Sequence, residues 1–272
     1  MSLKAQINNY AKQSNLPAQV ILQNFMFERF LARLSTSEHR KKFIIKGGVL
    51  IANLVGVNTR STMDLDATMQ ELQLTDENIK QAIEEIINIQ LDDNVEFEFI
   101  SLAPIRKDDI FGGRCVRINA KFDTINTPLS IDISTGDIIT PDPIEYEFAG
   151  LFDDDAQIKL LGYNIETILA EKIETILSRG VFSTRPRDYY DVYILSKTQK
   201  YDKSLALQAL EETSKHRGSY DKIQDRSAIM KNITQSAELR NMWQKYQKKF
   251  SYAVNISFES TLQVLEQLLE GR

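Results

Sequence analysis

Across residues 17–34 (PAQVILQNFMFERFLARL), apolar side chains recur every three or four positions, the spacing of an amphipathic helix. Pro17 stands where a first-turn proline is tolerated, and Ser14 or Asn15 is placed to cap. FIIKGG (43–48) predicts a short buried strand running into a glycine pair. VLIANLVG (49–56) predicts a short buried helix that Gly56 can stop. MDLDATM (63–69) alternates like a strand. TDENIKQAIEEIINIQL (75–91) opens as a capping box, Thr75 with Asn78 in place of the usual glutamate, and continues at helical spacing. EFEFISL, RCVRINAKF and PLSIDIS follow as three strand-like runs separated by turn residues. From about residue 164 the pattern is helical to the end. This order predicts an α+β protein: a mixed sheet with flanking helices and an N-terminal helix in residues 1–160, then an all-helical half in residues 161–272. The acidic run Asp153-Asp154-Asp155 reads as a solvated loop at that boundary.

Composition narrows the chemistry. The 272 residues allow one large domain or two modest ones. No stretch approaches the roughly 20 apolar residues of a membrane span, and the opening MSLKAQINNYAKQSN lacks the apolar core of a signal peptide. One cysteine, Cys115, allows no internal disulfide, so a cytoplasmic location is expected. The net charge of −5 departs from the basic excess of a general nucleic-acid coat, so any such contact must be local. With only His39 and His216 as histidines, a Cys/His zinc site or a Ser–His or Cys–His pair has little material. Carboxylates, lysines and arginines are left to do the work.

Strand side chains alternate between faces. In Met63-Asp64-Leu65-Asp66-Ala67 the apolar residues are expected on one face and both aspartates on the other, with Cα atoms about 6.5–7 Å apart. In PLSIDIS, Leu129, Ile131 and Ile133 share one face and Ser130, Asp132 and Ser134 the other. Aspartate is disfavoured inside strands, and a third carboxylate beside the first two gives Asp132 a reason to be there. Magnesium takes oxygen ligands and keeps waters and substrate phosphates in its shell, which such a face can serve. A lone D-x-D is equally a pair of solvent-facing aspartates.

Lys46-Gly47-Gly48 lies between a strand and a helix, where glycine lets backbone approach a ligand and the helix offers N–H groups to phosphate. The stretch KGGVLIANLVGVNTRSTMDLDATM resembles the signature of the AbiEii/AbiGii family of nucleotidyltransferase-like toxins: K-G-G, an apolar helix, R-[ST], then D-L-D. Val49 stands where that family usually has Ser or Thr, which leaves backbone rather than hydroxyl contacts to phosphate. NIETILAEKIETILSRGVFSTRPRDYYDVYIL (164–195) resembles the family's later motifs, a lysine helix followed by R-x-R-D-x-x-D. The resemblance covers roughly residues 40–200 and implies a polymerase-beta-like nucleotidyltransferase fold.

What the resemblance implies for the site is specific. Asp64, Asp66 and Asp132 would bind two Mg²⁺ ions. Lys46, Gly47, Gly48, Arg60, Ser61 and Lys172 would hold a nucleoside triphosphate, and Asp188 and Asp191 would position Lys172 or assist catalysis. The helical half would complete the cleft. The implied role is the toxin of a toxin–antitoxin or abortive-infection system, transferring a nucleotide to an acceptor such as tRNA or another RNA, with a cognate antitoxin as partner. Two other readings stand beside it: a small-molecule, antibiotic-type nucleotidyltransferase, and a catalytically silent, partner-binding protein of the same fold.

The second block also has a reading of its own. At about 100° per residue, Ile165, Ile168, Leu169, Ile173 and Ile176 form one stripe with Lys172 in its middle, while Glu171 and Glu174 point away. A core-facing lysine either snorkels past the core edge or reaches a cleft. Asp188, just after Pro186, suits a helix dipole; Asp191 lacks that explanation. Arg179 and Arg187 can pair with these aspartates or with nucleotide. In MWQKYQKKF (242–250) bases and aromatics interleave, as on an RNA-binding face or on a helix with an aromatic core side and a solvated basic side.

Overall fold

The computed structural model describes residues 2–71, 73, 75–105, 113–153 and 157–270. Asp154 and Asp155 lie outside them, so the loop expected at the acidic run is not described. Two compact units emerge: residues 1–137 with 143–162, and residues 138–142 with 163–272. The observed architecture is α+β, a mixed seven-stranded sheet with helices in the first unit and helices throughout the second.

The first unit opens with α1 (Leu3–Ser14), a helix that the polar opening does not advertise. Its stripe is only Leu3, Ile7 and Ala11, one buried residue per turn. Asn15 ends it in the left-handed region (φ 53°), so this residue closes α1 rather than capping the next helix. In α2 (Ala18–Thr36) Pro17 is itself the first cap. The strands are β1 (Phe43–Lys46), β2 (Leu65–Met69), β3 (Glu96–Pro104), β4 (Arg114–Phe122), β5 (Ile125–Thr135), β6 (Ile144–Phe148) and β7 (Ile158–Gly162), in spatial order β3-β4-β5-β2-β1-β7-β6. The last two had no expectation attached, although IEYEF alternates apolar residues with glutamate; in β7 the alternation breaks at Leu161. Among the described residues no helix is long and apolar enough to cross a membrane.

Register explains the two faces of this sheet. Ile45 pairs with Ala67, Ala67 with Ile133, Leu65 with Ile131, and Ile131 with Val116. Paired residues on neighbouring strands point the same way, so these apolar side chains form one continuous face. Helix α2 lies on it: Phe30 meets Phe97 edge-on at 6.3 Å. Helix α4 (Asp76–Ile87) packs beside it, buries Ile79, Ile83 and Ile86 and sets the Lys80 ammonium 5.6 Å from the Phe99 ring. Thr75 caps α4 by accepting from the Asn78 amide. The Asn78 side chain donates to the carbonyl of Gln73, so the expected box is half made.

Met63 and Asp64 depart from the expected strand. Gln23 Nε2 donates to the Met63 carbonyl at 2.8 Å and Asn24 Nδ2 to the Thr62 carbonyl at 3.2 Å. The backbone there is spent on α2 instead of a ladder, β2 begins only at Leu65, and Met63 is exposed, not on the apolar face.

The second unit consists of α5 (Ile165–Arg179), α6 (Pro186–Thr198), α7 (Lys203–His216), α8 (Arg226–Gln235), α9 (Ala237–Lys249) and α10 (Phe258–Leu269). Helix α5 is central and has no solvated back. Glu174, expected to point away from the core, is buried and accepts from Arg217 Nη1 (2.8 Å) and Ser219 Oγ (2.7 Å), while Glu171 accepts from Arg217 Nη2 (2.6 Å). Helix α9 buries Trp243 and Tyr246 and exposes Lys245, Lys248 and Lys249, the aromatic-in, basic-out arrangement.

Arg33 gives the first unit a testable weak point. Its guanidinium is almost fully buried, bidentate to Asp93 at 2.7 and 2.9 Å, donates to the Val95 carbonyl at 2.6 Å and lies 4.9 Å from the Phe97 ring centre. Arg33→Ala would strand the Asp93 carboxylate, so urea denaturation should show a loss of about 3–5 kcal/mol.

Candidate active site

The sheet's other face carries the polar residues. Lys46 pairs with Asp66 across antiparallel β1 and β2; Asp66 pairs with Asp132 across parallel β2 and β5; Asp132 pairs with Cys115 across antiparallel β5 and β4. One transverse row therefore runs Lys46, Asp66, Asp132, Cys115. Both aspartates are half-buried. Asp64 sits just ahead of β2 and is exposed.

The glycine pair is explained by what stands over it. Gly47 and Gly48 open the first turn of α3 (Gly47–Val55), two residues earlier than the apolar run suggests. Gly47 has φ +64°, and a Cβ there would lie 2.0 Å from Asp66 Oδ2. A Cβ on Gly48 would lie 2.2 Å from Thr62 Oγ1 and 3.1 Å from Arg60 Nη1. The K-G-G turn and the D-L-D run are thus one packed object: the carboxylate rests on the space that the missing side chain leaves. Gly56 ends α3 with φ +88°.

The remaining first-unit candidates are already engaged. Lys46 Nζ donates to Ser134 Oγ at 2.8 Å and pairs with Asp137 Oδ2 at 2.5 Å; Ser134 Oγ also donates to Asp137 at 2.6 Å. Arg60 and Ser61 are 2% and 6% exposed, and Arg60 Nη1 donates to the Ser61 carbonyl at 2.7 Å. These contacts brace the turn between α3 and β2. Asp137 had no signal in the sequence, since it belongs to a turn after the strand run and only the fold brings it to Lys46. The Cys115 thiol is pushed up to about 11, first by burial and then by its hydrogen bond to Asp132 and the charge of that carboxylate. It stays protonated at neutral pH.

Among the described residues no three His, Cys, Asp or Glu side chains gather into a group able to hold a metal ion by themselves. The donor set is a register-paired couple of hard carboxylates, Asp66 and Asp132. That suits Mg²⁺, which is commonly held by one or two carboxylates plus water and substrate phosphate rather than by an all-protein cage.

In the second unit, Lys172 does not snorkel. Its ammonium lies 2.9 Å from Asp188 and 3.1 Å from Asp191, both carboxylates being essentially buried, and Arg185 Nε reaches Asp188 at 2.8 Å. The R-x-R-D-x-x-D run and the lysine helix are therefore joined by charge, with Arg185 rather than Arg187 as the arginine that pairs. Arg187 lies over the Phe250 ring at 5.3 Å instead. Tyr189 beside them is raised above the usual phenol range by burial and by Asp188.

The fold resembles that of a solved structure from H. pylori. A candidate nucleotidyltransferase from H. pylori is 15% identical, covers 94% of this chain and 100% of its own, and superposes with a TM-score of 0.52. JHP933 from Helicobacter pylori is 16% identical over 88% of this chain and 98% of its own, with a TM-score of 0.48. An antigenic nucleotidyltransferase-like protein from Paracoccidioides brasiliensis is 16% identical over 74% and 92%, with a TM-score of 0.47. Among curated proteins none matches the chain. The family model described as nucleotidyl transferase AbiEii toxin, type IV toxin–antitoxin system, matches residues 29–264, and the chain belongs to that family. It is a nucleotidyltransferase.

Two substitutions test these arrangements. Gly47→Ala adds a Cβ in a left-handed position, at about 1–2 kcal/mol, and drives the Asp66 carboxylate aside. A misplacement of this size should lower nucleotidyl transfer about 10²-fold while circular dichroism keeps the native spectrum. Lys172→Ala leaves Asp188 and Asp191 buried without their shared ammonium; thermal and denaturant unfolding should reveal a loss of about 3–5 kcal/mol.

Proposed function

We propose that the protein is a Mg²⁺-dependent toxin that transfers a nucleotide from a nucleoside triphosphate to a hydroxyl of an RNA acceptor, with tRNA as the first candidate. The observation that carries this reading is the pairing of Asp66 with Asp132 on one sheet face, with the Asp66 carboxylate set against Gly47. Asp66 and Asp132 would hold the metal, with Asp64 as a further oxygen donor from the exposed segment ahead of β2. Bound there, Mg²⁺ supplies charge neutralisation on the triphosphate and lowers the pKa of the acceptor hydroxyl.

The chain's own residues do the rest. The first-turn amides of α3, at Gly47 and Gly48, belong to a helix N-terminus, where N–H groups lack intrahelical acceptors and favour phosphate. Asp132 is the group that would take the acceptor proton as its oxygen attacks the α-phosphorus and pyrophosphate leaves. Lys46 keeps Asp137 and Ser134 in place beside this row and so fixes the end of β5. The family's toxin–antitoxin setting makes a cognate antitoxin protein the expected partner.

The test incubates the protein with Mg²⁺, total RNA and each labelled triphosphate in turn, beside Asp66→Asn and a chelator control. Label should enter a small RNA with one preferred triphosphate. Transfer should fall at least about 10²-fold in the variant, the scale on which one charge-stabilising group acts. Equal labelling by Asp66→Asn rejects the assignment of Asp66. Label entering an added aminoglycoside mixture but no RNA would move the protein to the small-molecule reading.

A further inference from the structure

The basic, aromatic segment 242–250 is not consumed by its own helix packing. With the start of α6 it lines an open pocket of about 440 Å³, within the usual range of roughly 300–1,000 Å³ for ligand sites. The floor is apolar: Pro186, Met242, Tyr246 and Phe250. At the rim, Arg187 from α6 and Lys245 and Lys249 from α9 give the lining positive charge, while Arg185 is already paired with Asp188 at 2.8 Å. No acidic residue lines it. The two lysines are one helical turn apart on α9, a row of charge rather than a point. Phe250 steadies the rim, since Arg187 lies 5.3 Å and Lys249 5.4 Å from its ring centre.

We propose that this pocket binds single-stranded RNA, seating one nucleotide on the apolar floor and its flanking phosphates on Arg187, Lys245 and Lys249. The lining decides the ligand class. A bare phosphate would leave the aromatic floor uncovered, and an apolar ligand would meet positive charge. An unpaired nucleotide matches both halves, because every base has a stacking face and every linkage an anion. Concavity argues for a flexible strand over a stiff duplex. The chain's net charge of −5 fits a contact confined to one place. The inference rests on an RNA acceptor for its purpose, but it is read by binding and not by transfer, so the two can fail separately.

The experiment measures anisotropy of a fluorescent single-stranded RNA oligonucleotide with the full chain, without triphosphate, across a salt series. Lys245→Glu with Lys249→Glu should weaken binding at least about tenfold. It should also flatten the slope of log K against log salt by about 1.4, two phosphates at ~0.7 each. The control is Lys197→Glu with Lys222→Glu, exposed lysines of the same unit outside the pocket, which carries the same change of charge. Phe250→Leu should lower affinity with a smaller change of slope than the double lysine variant. Equal weakening by the two double variants overturns the proposal, and so does indifference to Phe250→Leu, which would leave only a generic anion patch. Displacement of the RNA by an acidic peptide of matched charge as readily as by unlabelled RNA would overturn it in favour of a protein ligand.

Discussion

A carboxylate occupying the volume of an absent methyl group ties this nucleotidyltransferase together. Asp66 lies against Gly47, and the left-handed backbone of that glycine turns β1 into α3 at the point where Lys46 faces Asp66 across the ladder. Strand pairing then sets Asp132 beside Asp66 and Cys115 beside Asp132 without any further device. Four strands, one helix start and the polar row therefore share a single packing constraint. Arg60 and Thr62 extend it by closing over Gly48, which is why the R-S-T segment is buried though it is polar.

The central part of this arrangement is legible in the sequence, because each half carries its own local signal. Aspartates alternating with leucine and alanine, or with isoleucines, announce a half-polar strand, and a glycine pair between two apolar runs announces a turn under close approach. The order of elements from β1 to β5 follows from the same alternation. What the pattern could not supply was contact at long range. Asp137 meets Lys46 across 91 positions of chain, and nothing in a turn sequence marks such a partner. Asp64 shows a subtler limit: its alternation with Asp66 is genuine, but the amide groups of Gln23 and Asn24 take the backbone carbonyls that a strand would need. Helix α1 offers little apolar contrast and β7 loses its alternation at Leu161, whereas β6 alternates apolar residues with glutamate throughout.

The second unit uses charge differently. On α5, Lys172 faces two buried carboxylates of α6, and Glu171 and Glu174 face Arg217 beyond α7. A helical stripe drawn from the sequence treats glutamates off the stripe as solvated. Here opposite charges let three sides of the helix be buried at once. Buried pairs of this kind are weak sources of net stability but costly to break, so they specify which helices meet.

The chain does not pass from one unit to the other only once. Residues 138–142 leave the first unit, join the second, and return before β6. In that excursion the Thr140 amide donates to Thr167 Oγ1 at 2.9 Å, Thr167 Oγ1 donates back to the Thr140 carbonyl at 3.0 Å, Thr140 Oγ1 donates to Glu212 at 2.6 Å, and Asn164 Nδ2 reaches the Asp142 carbonyl at 2.9 Å. The first turn of α5 is thereby clasped by a segment encoded some 25 positions upstream. A fragment beginning at residue 163 would carry every helix of the second unit and still leave Thr167 and Asn164 with orphaned polar atoms, so the genetic order of the two units is not a seam along which they can be cut.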